Sequence, residues 1–237
     1  MNKKSQHITK STPSPLERAG VRLKVCGMKY QDNIEHVATL QPDYLGFIFH
    51  EKSIRNFGEN NMPQIPHSIK KTGVFVDAEI HEVIDKINLY HLHAVQLHGQ
   101  ESPEYCKQLK TYNIEIIKAF SIDNSFNFND LKPYEIVCNY FLFDTKGKLP
   151  GGNGYTFDWT ILNKYPSTKP FFLSGGIGLN EVESLLSFLE KPESKYCYAI
   201  DVNSQFEIEA GLKDIEKLKE FKHNVITRNS DSYRETK

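Results

Sequence analysis

Residues 170–189 read PFFLSGGIGLNEVESLLSFL and contain the pattern that decides the fold. The run at 170–173 is apolar without polar alternation, which is typical of a strand buried on both faces of a parallel sheet. A glycine-rich turn at 174–178 follows it. Residues 180–189 then place apolar side chains at helical spacing. The stretch predicts one strand–turn–helix unit of an α/β protein.

The same unit recurs along the chain. Helical windows lie at 79–89 and after Ser102, where Pro103 favours a helix start. The pattern predicts a single-domain (β/α)₈ barrel, or TIM barrel. An open, doubly wound sheet is the alternative, although no GxGxxG motif follows the first run. The eight apolar runs are residues 22–26, 44–49, 71–76, 94–97, 114–119, 140–144, 170–173 and 198–202.

The two ends of the chain differ from its centre. Residues 1–20 are rich in Ser, Thr and Pro and poor in apolar residues, which predicts a disordered N-terminal extension. A transit peptide is the alternative reading. We assign the barrel domain to residues 21–222 and a polar C-terminal tail to residues 223–237.

Composition excludes several classes of function. The 237 residues include 29 Lys and Arg against 30 Asp and Glu, which disfavours nucleic-acid partners and a polybasic membrane surface. No apolar run approaches the roughly 18 residues that cross a bilayer. The four cysteines lie far apart, and His91, His93 and His98 lack the spacing of metal ligands. We therefore expect a cytoplasmic protein without a metal site.

The active site of such a barrel lies where its strands end. The glycines at 174–178, with the loop after the eighth run, predict a phosphate site, because glycine lets main-chain N–H groups approach an anion. A simple reversing turn is the alternative. Another glycine-rich segment at 151–154 suggests a loop that covers a ligand.

Three side chains near the strand ends could carry chemistry. Cys26 could act as a thiolate, although most buried cysteines are inert. Asp144 follows an aromatic run that would favour its protonated form, so it could act as a general acid or simply cap the next loop. Arg55 could bind a carboxylate through its planar fork or remain a solvated loop residue.

The chain contains a series of motifs in order over residues 23–222: Lys24-Val25-Cys26-Gly27-Met28, Gly46-Phe47-Ile48-Phe49, Ser53-Ile54-Arg55, Gly73-Val74-Phe75-Val76, Gln96-Leu97-His98-Gly99, Asp144-Thr145, Gly151-Gly152-Asn153-Gly154, Phe157-Asp158-Trp159, Leu173-Ser174-Gly175-Gly176-Ile177 and Asp201-Val202-Asn203-Ser204. Together these motifs resemble the phosphoribosylanthranilate isomerase family of tryptophan biosynthesis.

The resemblance implies an isomerase of amino-acid biosynthesis, an aldose–ketose isomerase among the intramolecular oxidoreductases. It would perform an Amadori rearrangement on a small-molecule phosphosugar, as a monomer and without a cofactor. At matching positions Cys26 would be the general base, Asp144 the general acid and Arg55 the ligand of the anthranilate carboxylate. The phosphate would lie on residues Gly175, Gly176, Asn203 and Ser204.

The chain departs from the family pattern at Ile54, Asn153, Gln205-Phe206 and Ala210. Two other functions remain open. The first is another sugar-phosphate isomerase or epimerase on the same barrel, including one for a histidine-pathway aminoaldose. Such bifunctional relatives usually have paired aspartates at strands one and six, and Cys26 stands at the first of these positions. A non-catalytic phosphosugar-binding barrel would be expected to have lost Cys26 or Asp144.

Overall fold

The computed structural model describes residues 21–145 and 156–227. Eight parallel strands close into a barrel in chain order, and β1 pairs with β8 to complete it. The predicted TIM barrel is confirmed, and the doubly wound alternative is wrong. The strands are β1 (Arg22–Val25), β2 (Tyr44–Ile48), β3 (Lys70–Phe75), β4 (Ala94–Leu97), β5 (Glu115–Ile122), β6 (Tyr140–Thr145), β7 (Phe171–Leu173) and β8 (Cys197–Val202).

Helices lie on the outside of the barrel. Ser102 begins α3 as predicted, since its hydroxyl accepts a hydrogen bond from the Tyr105 N–H at 3.2 Å and Pro103 takes the first helical position. No helix among the described residues is long and apolar enough to cross a bilayer. The α-helices are α1 (Gln31–Thr39), α2 (Ile80–Tyr90), α3 (Pro103–Lys110), α4 (Val182–Leu189) and α5 (Ile215–Phe221).

Several connections depart from the regular strand–helix pattern. The chain runs from β2 to β3 without a helix, and 3₁₀ helices at Phe128–Tyr134 and Trp159–Lys164 follow β5 and β6. Pro133 lies inside the first of these helices and supplies no N–H, which disfavours a longer α-helix there. After β8 a short hairpin, β9 (Glu207–Glu209) and β10 (Leu212–Lys213), precedes α5.

Three of the sequence predictions concern segments beyond the described residues. The N-terminal extension at 1–20 and the glycine-rich loop at 151–154 lie outside them, as does most of the C-terminal tail. The described chain runs past the predicted end of the barrel domain at residue 222. It forms a π-helical segment, Lys222–Thr227, in which Val225 is buried.

The core has two layers. A large cluster fills the space between the barrel and its helices, and a smaller one, which includes Leu142, Phe172 and Ala199, lies inside the barrel. Side chains two residues apart on a strand share a face. Asp144 and Asp201 therefore follow Leu142 and Ala199 on the inner face, at the carboxyl ends of β6 and β8. This alternation aims polar groups into the mouth of the barrel.

Candidate active site

A cavity of about 440 Å³ opens at the carboxyl ends of the strands. Its wall contains every residue that the sequence predicts for the site: Cys26, Arg55, Asp144, Gly175, Gly176, Asn203 and Ser204. It also contains Gln96, His98, Ser174 and Asp201. The fold thus brings together side chains that are far apart in the sequence.

Cys26 lies directly after β1, and its N–H donates to the Val202 carbonyl at 2.8 Å. A glycine faces the sulfur from β2, because a Cβ at Gly46 would lie 2.7 Å from Sγ. Burial raises the pKa of the Cys26 thiol, and the positive charge of Lys24 partly opposes this effect. The Lys24 Nζ is itself held by Asp201 Oδ1 at 2.8 Å, in an ion pair with almost no solvent exposure.

Asp144 is buried at the end of β6 and uses both carboxyl oxygens. Its Oδ1 accepts a hydrogen bond from the Thr145 N–H at 3.0 Å, and its Oδ2 lies 3.3 Å from His98 Nε2. On the far side of the imidazole ring, Nδ1 lies 2.9 Å from Gln96 Nε2. The carboxyl group therefore belongs to a polar chain that crosses from β6 to the end of β4.

Arg55 is fixed by Glu207, which is 152 residues further along the chain. Its Nε and Nη2 donate to the two carboxylate oxygens at 2.7 to 3.0 Å, so the alternative of a solvated loop arginine is wrong. Burial would raise the pKa of Glu207, but Arg55 and Lys213 outweigh it and hold the pKa below its usual range. Nη1 of Arg55 has no hydrogen bond within the described residues and stays available for another carboxylate.

The loop after β7 has the geometry of an anion site. Gly175 and Gly176 have φ values of 94° and 68°, a region that favours glycine. A Cβ at Gly175 would lie 2.2 Å from Thr145 Oγ1, so the loop packs against the end of β6. Within residues 21–145 and 156–227, the N–H groups of Gly175, Gly176 and Ser204 donate to no protein acceptor. They are free to bind an anion.

The neighbouring loop after β8 is held by Lys213. Its Nζ donates to Asn203 Oδ1 at 2.7 Å and to Glu207 Oε1 at 2.8 Å. Burial lowers the pKa of Lys213 to about 8, although Glu207 acts in the opposite direction. Of the departures from the family pattern, Phe206 is buried and packs on Phe221 with ring centroids 5.0 Å apart. This residue thereby anchors the loop to α5.

Sequence reasoning missed the supporting residues of the site. Lys24 and Asp201 are charged residues inside predicted strands, and Gln96 precedes His98 by two positions. Side chains alternate between the two faces of a strand, so the sequence could have predicted that these residues lie on the inner face of the barrel. Nothing local marks Glu207 as the partner of Arg55. Within the described ranges, no group of three or more His, Cys, Asp or Glu side chains could hold a metal ion.

The model of the family described as "N-(5'phosphoribosyl)anthranilate (PRA) isomerase" matches residues 23–224. The chain belongs to this family. It is 43% identical over 212 residues to the PRA isomerase of Parabacteroides distasonis, covering 86% of this chain and 93% of that one. It is 39% identical over 204 residues to the PRA isomerase of Campylobacter jejuni serotype O:6, covering 84% of this chain and 96% of that one.

Solved structures of PRA isomerases have the same fold. The crystal structure from Thermotoga maritima is 29% identical and superposes with a TM-score of 0.72, covering 86% of this chain and 98% of that one. A PRA isomerase in complex with reduced 1-(o-carboxyphenylamino)-1-deoxyribulose 5-phosphate is 28% identical and superposes with a TM-score of 0.69. The match covers 86% of this chain and 97% of that one. The latter protein binds a phosphosugar analogue.

Proposed function

We propose that this protein converts N-(5-phosphoribosyl)anthranilate into 1-(2-carboxyphenylamino)-1-deoxyribulose 5-phosphate in tryptophan biosynthesis. The reaction turns an aldose derivative into a ketose, so the enzyme would be an intramolecular oxidoreductase. The observation that carries the proposal is that the Cys26 thiol and the Asp144 carboxyl group line one cavity, beside N–H groups that have no acceptor among the described residues. We further propose a monomeric, cytoplasmic enzyme with residues 21–222 as its catalytic domain.

Asp144 opens the sugar ring in the first step. Its carboxyl proton goes to the furanose oxygen while the C1–O bond breaks, and the nitrogen lone pair forms a C1=N iminium. The acid must be protonated when substrate binds. Its burial against the barrel wall keeps bulk water away from the proton that it delivers.

Cys26 acts in the second step. The thiolate removes the proton from C2, the electron pair forms the C1=C2 bond, and the iminium nitrogen recovers its lone pair. The Cys26 thiol then returns its proton to C1 while the O2 hydroxyl of the enol releases a proton to water, and C2 becomes the ketone. An iminium cation next to the sulfur favours the thiolate, which offsets the effect of burial in raising the pKa of the Cys26 thiol.

Two binding groups, one for each end of the substrate, would fix its position in the cavity. Arg55 would bind the anthranilate carboxylate through Nη1 while Glu207 holds the opposite edge of the guanidinium. The N–H groups of Gly175, Gly176 and Ser204 would bind the phosphate, with Asn203 in the same wall. Anchoring both ends of the substrate leaves the reacting carbons between acid and base.

The test is turnover of freshly prepared phosphoribosylanthranilate by the purified protein, followed by the loss of anthranilate-type fluorescence. We expect rapid decay that depends on enzyme concentration, with formation of the ketose product. A protein that binds ribose 5-phosphate but leaves the fluorescence unchanged would instead be a phosphosugar-binding barrel, and the proposal would be wrong.

A further inference from the structure

His98 and Gln96 form a polar pair in the cavity wall that the two chemical steps do not use. The residues lie two positions apart at the end of β4, so both side chains point into the barrel. His98 Nε2 lies 3.3 Å from Asp144 Oδ2, and His98 Nδ1 lies 2.9 Å from the Gln96 amide. Each ring nitrogen thus has one defined partner.

The proposed mechanism requires a group that returns a proton to Asp144 between turnovers. Asp144 gives its proton to the furanose oxygen in every turnover and must be protonated again before the next substrate opens. The carboxyl group is buried, with only 4% of the residue exposed, so access from bulk water is restricted. The imidazole of His98 contacts it directly, is 16% exposed, and can carry a proton from the open side of the cavity.

We propose that His98 returns the proton to Asp144 between turnovers and that Gln96 holds the imidazole ring for this transfer. The protonated imidazole of His98 gives its Nε2 proton to Asp144 Oδ2 and becomes neutral, and it then takes a new proton from hydronium in the solvent. This proposal rests on the assignment of Asp144 as the general acid. His98 acts through Asp144, and it is therefore a positioning and proton-supplying residue that does not touch the substrate.

The Gln96 amide can serve the ring in both of its states. As placed, Nε2 faces the ring, and the buried Oε1 has no hydrogen-bond partner among the described residues. If the amide turns over, Oε1 accepts from an Nδ1–H instead. Gln96 can thus hydrogen-bond the imidazole both when Nδ1 accepts and when Nδ1–H donates. An apolar residue could do neither.

The backbone that carries His98 is held firmly. Lys118 Nζ donates to the Gly99 carbonyl at 2.8 Å and to Glu101 Oε2 at 3.1 Å, and both charged side chains are buried. Glu101 in turn accepts the Gly99 N–H at 3.0 Å. The imidazole is therefore presented to Asp144 by a loop whose position does not depend on substrate.

The test compares His98→Gln with His98→Ala. Glutamine keeps an N–H donor near the place of Nε2 but has no proton acidic enough to transfer to a carboxylate, whereas alanine leaves space for free imidazole. We expect kcat to fall about 100-fold in both variants, with KM changed less than threefold, because acid–base assistance contributes at least this much. Added imidazole should restore part of kcat in His98→Ala and none in His98→Gln.

Wild-type kcat in His98→Gln would overturn the proposal, since a hydrogen-bond donor alone would then suffice. Absence of imidazole rescue in His98→Ala, with ribose 5-phosphate binding retained, would also overturn it. His81→Gln, an exposed histidine on α2, is the matched control and should keep full activity.

The variant Asp144→Asn distinguishes a failure of this proposal from a failure of the assignment of Asp144 as the general acid. If Asp144→Asn keeps wild-type turnover, the assignment of the acid fails and the role of His98 fails with it. If Asp144→Asn is inactive while His98→Gln is fully active, only the role of His98 is wrong.

Discussion

At the residue scale, the environment of Cys26 predicts its reactivity. Burial raises the pKa of the Cys26 thiol, which favours its uncharged form at neutral pH. The rise of Cys26 alkylation by iodoacetamide with pH should therefore have its midpoint above about 8.5, the midpoint of an exposed thiol. Mass spectrometry of the Cys26 peptide measures this rate. A rate that reaches its plateau below pH 7 would show that the thiol is instead a preformed thiolate.

Arg55 carries a second prediction at this scale. Arg55→Ala removes the charge-assisted hydrogen bond from Nη1 to the anthranilate carboxylate, and a hydrogen bond to a charged group contributes about 1.5–3 kcal/mol. We expect KM for phosphoribosylanthranilate to rise about 10- to 100-fold, while the affinity for ribose 5-phosphate stays near wild type. Initial rates give KM for phosphoribosylanthranilate, and calorimetric titration gives the affinity for ribose 5-phosphate. An equal loss for the two ligands would place Arg55 outside the carboxylate site.

At the element scale, the glycine loop after β7 is fixed by both its backbone and its neighbours. Gly175→Ala forces a Cβ onto a residue at φ 94°, within 2.5 Å of the Thr145 nitrogen. We expect weaker binding of ribose 5-phosphate, because the loop must move away from β6. Isothermal titration measures this loss.

Gly58→Ala provides the matched control for this loop. Gly58 also has a positive φ, of 62°, but the nearest atom to an added Cβ lies 3.9 Å away. The two substitutions should cost comparable backbone strain, about 1–3 kcal/mol, whereas only Gly175→Ala should weaken phosphosugar binding. If both variants bind ribose 5-phosphate equally well, the loop does not form the phosphate site.

The strands were predictable because burial on both faces leaves an unmistakable sequence pattern. The run at 94–97 is predicted with the observed bounds, and 198–202 differs from β8 by one residue at its start. The connections after β2, β5 and β6 were not predictable in this way. A helix there needs an amphipathic stripe. The chain between β2 and β3 has no helix, and the described parts of the connections after β5 and β6 contain 3₁₀ helices.

At the scale of the whole molecule, Lys24 and Asp201 join the first strand to the last. They are register partners across the β1–β8 seam, and their side chains form a buried ion pair. Lys24→Met leaves a buried carboxylate without its partner and should lower the free energy of unfolding by about 3–5 kcal/mol. Urea denaturation measures the change.

The double variant Lys24→Met/Asp201→Leu tests the reason for that loss. It removes both charges, so it should recover much of the stability that Lys24→Met loses. A double variant less stable than Lys24→Met would mean that the pair is not the source of the effect.

The candidate site was predictable as far as it depends on strand ends. Cys26, Asp144 and the glycine loop each follow an apolar run, and closing the barrel brings them together. The pairing of Arg55 with Glu207 was not predictable, because it depends on how a hairpin after β8 folds toward the loop after β2. Contacts of this kind arise only from tertiary structure.

The most direct test of the account is the turnover of phosphoribosylanthranilate by Cys26→Ser and Asp144→Asn beside the wild-type protein. We predict that each substitution lowers kcat at least 100-fold while product affinity stays near wild type, and that the double variant is little worse than either single one. Wild-type kcat in either single variant would contradict an acid and a base that act together across this cavity.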